Sequence, residues 1–133
     1  MVKMQANNLQ PINLMTDCIF CDIIANKAPA NVLYEDQDCM VIKTIQPFAP
    51  VHFLVIPRKH IESLNEVDET DALLLSHLLL TARKVAENLG IAEKGYRIVI
   101  NTGRGGGQTV FHLHVHLLSG AQMDESLMVK GLV

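Results

Sequence analysis

At 133 residues the chain has the size of one domain with a single core, and 49% hydrophobic against 19% charged residues excludes a disordered chain. A net charge of −3 gives no reason to expect a nucleic-acid partner on a basic surface, so any phosphate must be held locally. No apolar run reaches the ~18–20 residues of a membrane span, and three cysteines, an odd number, fit a reducing cytoplasm better than a disulfide framework.

Residues 1–16 carry no continuous apolar stretch of the secretory kind and read as a flexible lead. In CIFCDIIANK, residues 18–27, Ile19, Phe20, Ile23 and Ile24 recur at helical spacing, which predicts a short amphipathic helix. Within it Cys18 and Cys21 form a C-x-x-C, a spacing that suits a redox pair or half of a zinc site. NVLYED (31–36) predicts a strand, EDQD (35–38) a turn and CMVIKT (39–44) a second strand, together a hairpin. Pro47 and Pro50 interrupt IQPFAP, and the β-rich VHFLVIP (51–57) predicts a third strand.

A long helix follows. Asp68 serves as N-cap, Asp71 stands three residues on, and Gly90 ends the element, which leaves about 22 residues, or ~33 Å. Leu73, Leu74, Leu75, Leu78, Leu79 and Leu80 spread over more than one face. A single sheet cannot cover them all in so small a chain, which predicts a subunit interface. His77, in mid-helix, reads as structural. GYRIVIN (95–101) and TVFHLHVHLL (109–118) predict a fourth and a fifth strand, joined by TGRGGGQ. The order gives an α+β domain with a largely antiparallel five-stranded sheet, one long helix and one short one. Residues 121–133 have little pattern.

The fifth strand carries three of the six histidines, His112, His114 and His116, on alternate positions. Alternation puts them on one face, ~6.6–7 Å apart from one to the next, with Leu113, Val115 and Leu117 on the other. A solvated face would carry Lys, Glu or Thr instead. A metal site is one reading: two imidazoles with Cys18 and Cys21 complete a closed zinc tetrahedron, whereas all three histidines on one ion would require bending. Catalysis is the other. GRGGGQT (103–109) has four glycines whose backbone can approach a ligand and turn its N–H groups inward, a nest for an anion such as phosphate. A phosphate so held lies beside imidazoles, one of which can attack phosphorus while its neighbours orient it and handle protons.

HLHVHLL is the H-φ-H-φ-H-φ-φ signature of the histidine triad (HIT) superfamily, and the chain resembles its Hint branch of adenosine phosphoramidate hydrolases. IFCDII, APVHFLVIPRKHI, NLGIAEKGYRIVIN and GGGQTVFHLHVHLLSGAQM carry the likeness from about Cys18 to Met123. It implies a HIT-like domain over 17–123, ahead of a tail of 124–133, working as a cytoplasmic homodimer on purine nucleoside 5′-phosphoramidates. His114 would attack the α-phosphorus, the amine would leave, and water would hydrolyse the nucleotidyl-histidine. His112 and His52 would orient the site, while His116, Gln108, Thr109 and the backbone at Gly107 would hold phosphate oxygens. Asn101 would meet the sugar–phosphate region. Ile19, Phe20, Ile23 and Ile42 would form the base cleft, with Ile45 and Val110 among the substrate contacts. Thr44 stands where the branch has an acidic residue gripping the ribose; a hydroxyl grips more weakly, which bears on ribose affinity. The tryptophan-containing end of animal Hint proteins is missing, since the chain has no Trp, which leaves the leaving group open. Cys18 and Cys21 resemble the zinc-binding variant of many bacterial members, which would add His60 and His112 to a structural site not needed for the chemistry. A dinucleoside polyphosphate hydrolase of another HIT branch and a nucleotide-binding regulatory module are the competing expectations.

Overall fold

The structure is a computed structural model that describes residues 16–121 and 123; the expected lead, apart from Thr16, and the tail of 124–133 lie outside the described residues. Helix α1 (Ile19–Ile24) opens where the Cys18 thiol accepts a hydrogen bond from the Cys21 N–H, and it buries Phe20 and Ile23. Strands β1 (Val32–Glu35) and β2 (Cys39–Lys43) form the expected hairpin, and β3 (Val51–Pro57) has the expected bounds. The sheet runs β1-β2-β3-β5-β4, every neighbouring pair antiparallel, with β4 at Arg97–Val99 and β5 at Val115–Ser119.

Every element but β3 is shorter than its stretch of sequence, including the three that follow it. Asp68 accepts the Thr70 N–H at 2.8 Å and Asp71 accepts the Asp68 N–H at 3.2 Å. This capping box winds Glu69–Asp71 into a 3-10 turn, so helix α2 proper is Ala72–Asn88, 17 residues instead of about 22. Gly90, at φ 75°, ends it as expected. The fourth strand is confined to Arg97–Val99 within 95–101. The fifth begins only at Val115, because pairing with β3 stops at Val55↔Val115. Upstream, the Leu113 N–H reaches the Ile61 carbonyl at 2.6 Å instead.

The pleat divides the core in two. Cys39, Val41, Val55, Val115 and Leu117 pack with Leu78, Ala82, Val85 and Ala86 of α2. Met40, Ile42, Leu54 and Ile56 pack on the opposite face against Phe20 and Ile23 of α1. His77 ties α2 to the β1–β2 turn through Asp36 at 2.7 Å. The Asp36 carboxylate also accepts from the Asp38 and Cys39 N–H groups and the Tyr34 hydroxyl. With Cys39 these two side chains have the makeup of a ligand set, but four donors already surround the carboxylate, so the group is a hydrogen-bonded joint. Burial pushes Asp36 up, and those donors outweigh it, holding the carboxyl below the usual carboxylate range.

Candidate active site and metal-ligating cluster

A cavity of about 640 Å³ opens on the α1 face of the sheet. Ile19, Phe20, Ile23, Ile42, Thr44, Ile45, His52, Thr109, Val110, His114 and His116, all expected substrate contacts or catalytic groups, line it together. Its apolar half comes from α1 and β2 and its histidine half from β3 and the approach to β5. The predicted site residues leave out seven that line the cavity: Ala28, Pro29, Ala30, Asn31, Lys43, Gln46 and Leu54. Leu54 was legible in principle, since it pairs with His116 and points the same way; Asn31 and Gln46 arrive from loops that carry no periodic signal. Thr44 reaches the wall, with its hydroxyl accepting the Gln46 N–H at 3.3 Å.

Each histidine has its proton placed by a different partner. The Phe48 N–H donates to His52 Nδ1 at 3.0 Å, so the neutral His52 ring carries its proton on Nε2. That Nε2 stands 2.9 Å from His116 Nδ1 and donates to it, which puts the proton of His116 on its own Nε2. Among the described residues His116 Nε2 is buried with no partner, a donor held ready for a ligand. His114 Nδ1 donates to the His112 carbonyl at 2.7 Å, leaving the Nε2 lone pair free. Burial, with a rise from that carbonyl too small to offset it, pushes the His114 pKa down. Burial and then the nearby His114 lower His52. Burial first, then His114 and His52, bring His116 to about 3. All three are therefore neutral at pH 7, the state a nucleophile requires and one in which a ring N–H can still hydrogen-bond a ligand oxygen.

His112 belongs to a second cluster. Its Nε2 donates to the Pro57 carbonyl at 2.8 Å, so Nδ1 is a bare lone pair. That Nδ1 lies 3.3 Å from Cys18 Sγ, 3.6 Å from Cys21 Sγ and 3.1 Å from His60 Nδ1, while Cys21 Sγ and His60 Nδ1 are 3.3 Å apart. All four ligand atoms lie within 4.8 Å of one another. Two thiols and two imidazoles converging on one point are the donor set of a closed tetrahedral zinc site, so the residues fit such an ion. Burial, then the neighbouring Cys18 and Asp22, push the Cys21 thiol up to about 11. Burial lowers His112 to about 4, against a rise from the Pro57 carbonyl and with a further push from His60 and His114. His112 thus stays neutral, as a ligand must.

The glycine loop departs from the expected nest. Arg104–Gly106 is a 3-10 turn between Gly103 (φ 73°) and Gly107 (φ 91°). The N–H groups of Gly106, Gly107 and Gln108 bond carbonyls within the loop, and that of Gly103 bonds Gln108 Oε1. Gln108 Nε2 in turn donates to the Glu62 and Val110 carbonyls. As placed, Gln108 and Gly107 brace the loop, and neither lines the cavity. The loop delivers Thr109 and Val110 to the wall but does not turn these N–H groups toward a ligand. Asn101 also stands off the cavity lining, with Nδ2 buried and unpartnered among the described residues.

Comparison with known proteins finds a match to the HIT domain family over residues 25–123. A curated, uncharacterised HIT-like protein of Synechococcus elongatus is 50% identical over 107 residues, 80% of this chain and 93% of that one. A HIT family hydrolase from Clostridium thermocellum superposes with a TM-score of 0.80 at 50% identity, covering 84% of this chain and 96% of its own. A zinc-bound histidine triad family protein from Mycobacterium smegmatis superposes at 0.71 with 32% identity, covering 82% of this chain and 78% of its own.

Proposed function

The chain belongs to the HIT domain family, and from that premise we propose that it hydrolyses purine nucleoside 5′-phosphoramidates to the nucleoside monophosphate through a nucleotidyl-histidine. The observation that carries this reading is His114: its Nδ1 proton is held by a carbonyl and its Nε2 lone pair is free, in a ring that lines the cavity beside the unpartnered Nε2–H of His116.

The purine packs against Ile19, Phe20, Ile23 and Ile42, with Ile45 and Val110 at the rim. The α-phosphate lies against His114, with Thr109 and the His116 Nε2–H on its oxygens. His114 Nε2 forms a bond to phosphorus as the P–N bond breaks. The amine leaves with a proton taken from solvent onto its nitrogen, while the His116 Nε2–H, aligned by His52 through Nδ1, holds a phosphate oxygen. The His112 carbonyl stabilises the positive charge that His114 gains on phosphorylation. In the second half, a water oxygen bonds phosphorus as the P–N bond to His114 breaks, and the proton that water sheds passes to solvent. Gln108 and the Gly107 backbone act in this scheme through the loop they brace, and Asn101 Nδ2 is free to meet the sugar–phosphate region.

The proposal extends to a structural zinc held by Cys18, Cys21, His60 and His112, supported by the converging donors and by the zinc-bound relative. It also extends to a homodimer in a reducing cytoplasm. Among the described residues, no helix is long and apolar enough to cross a membrane. The deciding experiment follows AMP release from adenosine 5′-phosphoramidate by chromatography, beside a dinucleoside polyphosphate. A clear preference for the phosphoramidate is expected. Faster cleavage of the polyphosphate assigns the chain to a different HIT chemistry, and tight nucleotide binding without turnover of either assigns it a regulatory role.

A further inference from the structure

The cavity and the metal-ligating cluster are built from shared parts. Cys18 and Cys21 bracket the first turn of α1, and the two residues between them, Ile19 and Phe20, line the cavity. The Phe20 ring meets the His112 ring edge-on at 5.8 Å between centroids and the His114 ring at 5.1 Å. His112 turns its Nδ1 to the cluster, while its carbonyl holds the Nδ1–H of His114 at 2.7 Å. Helix α1 is only six residues long, too short to persist without tertiary contacts. A ligand on either side therefore orders a segment that the other side also needs. Two ligands that order one element are coupled, and the coupling is reciprocal.

We infer that metal binding at the Cys18–Cys21–His60–His112 cluster and nucleotide binding in the cavity are linked through α1 and the His112–His114 segment, each tightening the other. The inference rests on the nucleotide and zinc readings proposed above. It makes the cluster more than a staple: zinc occupancy sets how firmly the base wall and the nucleophile are held, and bound nucleotide protects the metal from loss.

The test loads the full chain with one zinc and titrates it against a chromogenic chelator, with and without saturating AMP. Apparent zinc affinity is expected to rise about fivefold or more with AMP, within the ordinary range of coupling energies. AMP affinity measured by calorimetry on the loaded and stripped chain is expected to change by the same factor. Phe20→Ala, which removes the ring touching both histidines, is expected to keep one zinc per chain and to lose most of the AMP effect at saturation. A chain that binds zinc and AMP independently overturns the linkage alone, whereas one that takes up no zinc, or no AMP, overturns the underlying reading with it. Circular dichroism of the stripped protein completes the test: loss of the whole fold would place the coupling in global folding and overturn its assignment to α1, and a retained fold supports it.

Discussion

Phe48 contributes a main-chain N–H to the site, and that one donor sets the direction of two side-chain hydrogen bonds. It fixes the His52 tautomer, His52 fixes that of His116, and a proton is left on the unpartnered His116 Nε2. His114 and His112 are each set by a carbonyl instead. These roles give residue-level expectations. His114→Ala should lower kcat on the order of a thousandfold or more, since it removes the nucleophile. His116→Ala should cost ~10²–10³-fold, the usual worth of one donor placed on developing phosphate charge. Steady-state rates check both, and a His114→Ala variant as fast as the parent would sink the mechanism. Because burial lowers His114 and His116, the acid limb of kcat/KM should fall below the ordinary histidine value of about 6.5. A pH–rate profile with its limb near 6.5 would contradict this. Alternation in the sequence told which way the three histidines face, but not which nitrogen carries the proton, because Phe48 and Pro57 are placed by tertiary structure. The partners of the Gln108 amide at Gly103, Glu62 and Val110 were not legible for the same reason, since no local pattern announces them.

One strand, β3, was legible to the residue, and elements held by distant backbone were not. β3 is bounded as its pattern predicts. β5 loses its first six expected positions because Leu113 bonds Ile61 and the His112 ring bonds Pro57, contacts with the end of β3 and the segment after it in place of the ladder. α2 loses its first turn to the Asp68–Asp71 box. Helix α2 is also where stability and function should separate most cleanly. Leu78 is fully buried under the sheet, away from the cavity. Leu78→Ala should therefore destabilise the fold by about 2–5 kcal/mol in urea unfolding, with nucleotide affinity unchanged under native conditions. A weakened affinity in folded protein would show that α2 couples to the site.

At the scale of the molecule, α2 leaves Leu73, Leu79 and Leu80 exposed, Leu73 at 86%. If these cover a second copy, light scattering should report a dimer, and Leu79→Asp with Leu80→Asp should shift it to monomer while the unfolding midpoint at low concentration moves little. A parent that runs as a monomer would refute the pairing. The buried ionisable groups also set a common acid response. His52 and His116 take up protons in the unfolded chain near 6.5 but not in the fold, so their protonation favours unfolding as pH drops below that value. Asp36, held below its usual range, adds a loss as pH falls under about 4. Thermal midpoints should thus decline from pH 7 downward, and a midpoint flat to pH 4 would contradict the burial of the histidines.

The register of the sheet has a further outcome. Cys39 lies opposite Pro57 and Val55 opposite Val115, so odd pairs with odd and even with even across the three central strands. Odd positions there turn toward α2 and even positions toward the cavity side. A saturating substitution scan of these strands should therefore beat with a period of two, odd sites scoring in a folding screen and even cavity sites in a turnover screen. A single-codon deletion inside β3 would exchange the two classes beyond the lesion, turning Val55 toward the nucleotide and Leu54 toward the helix. Such a lesion would fail both screens at once, although every substitution at those sites fails at most one first.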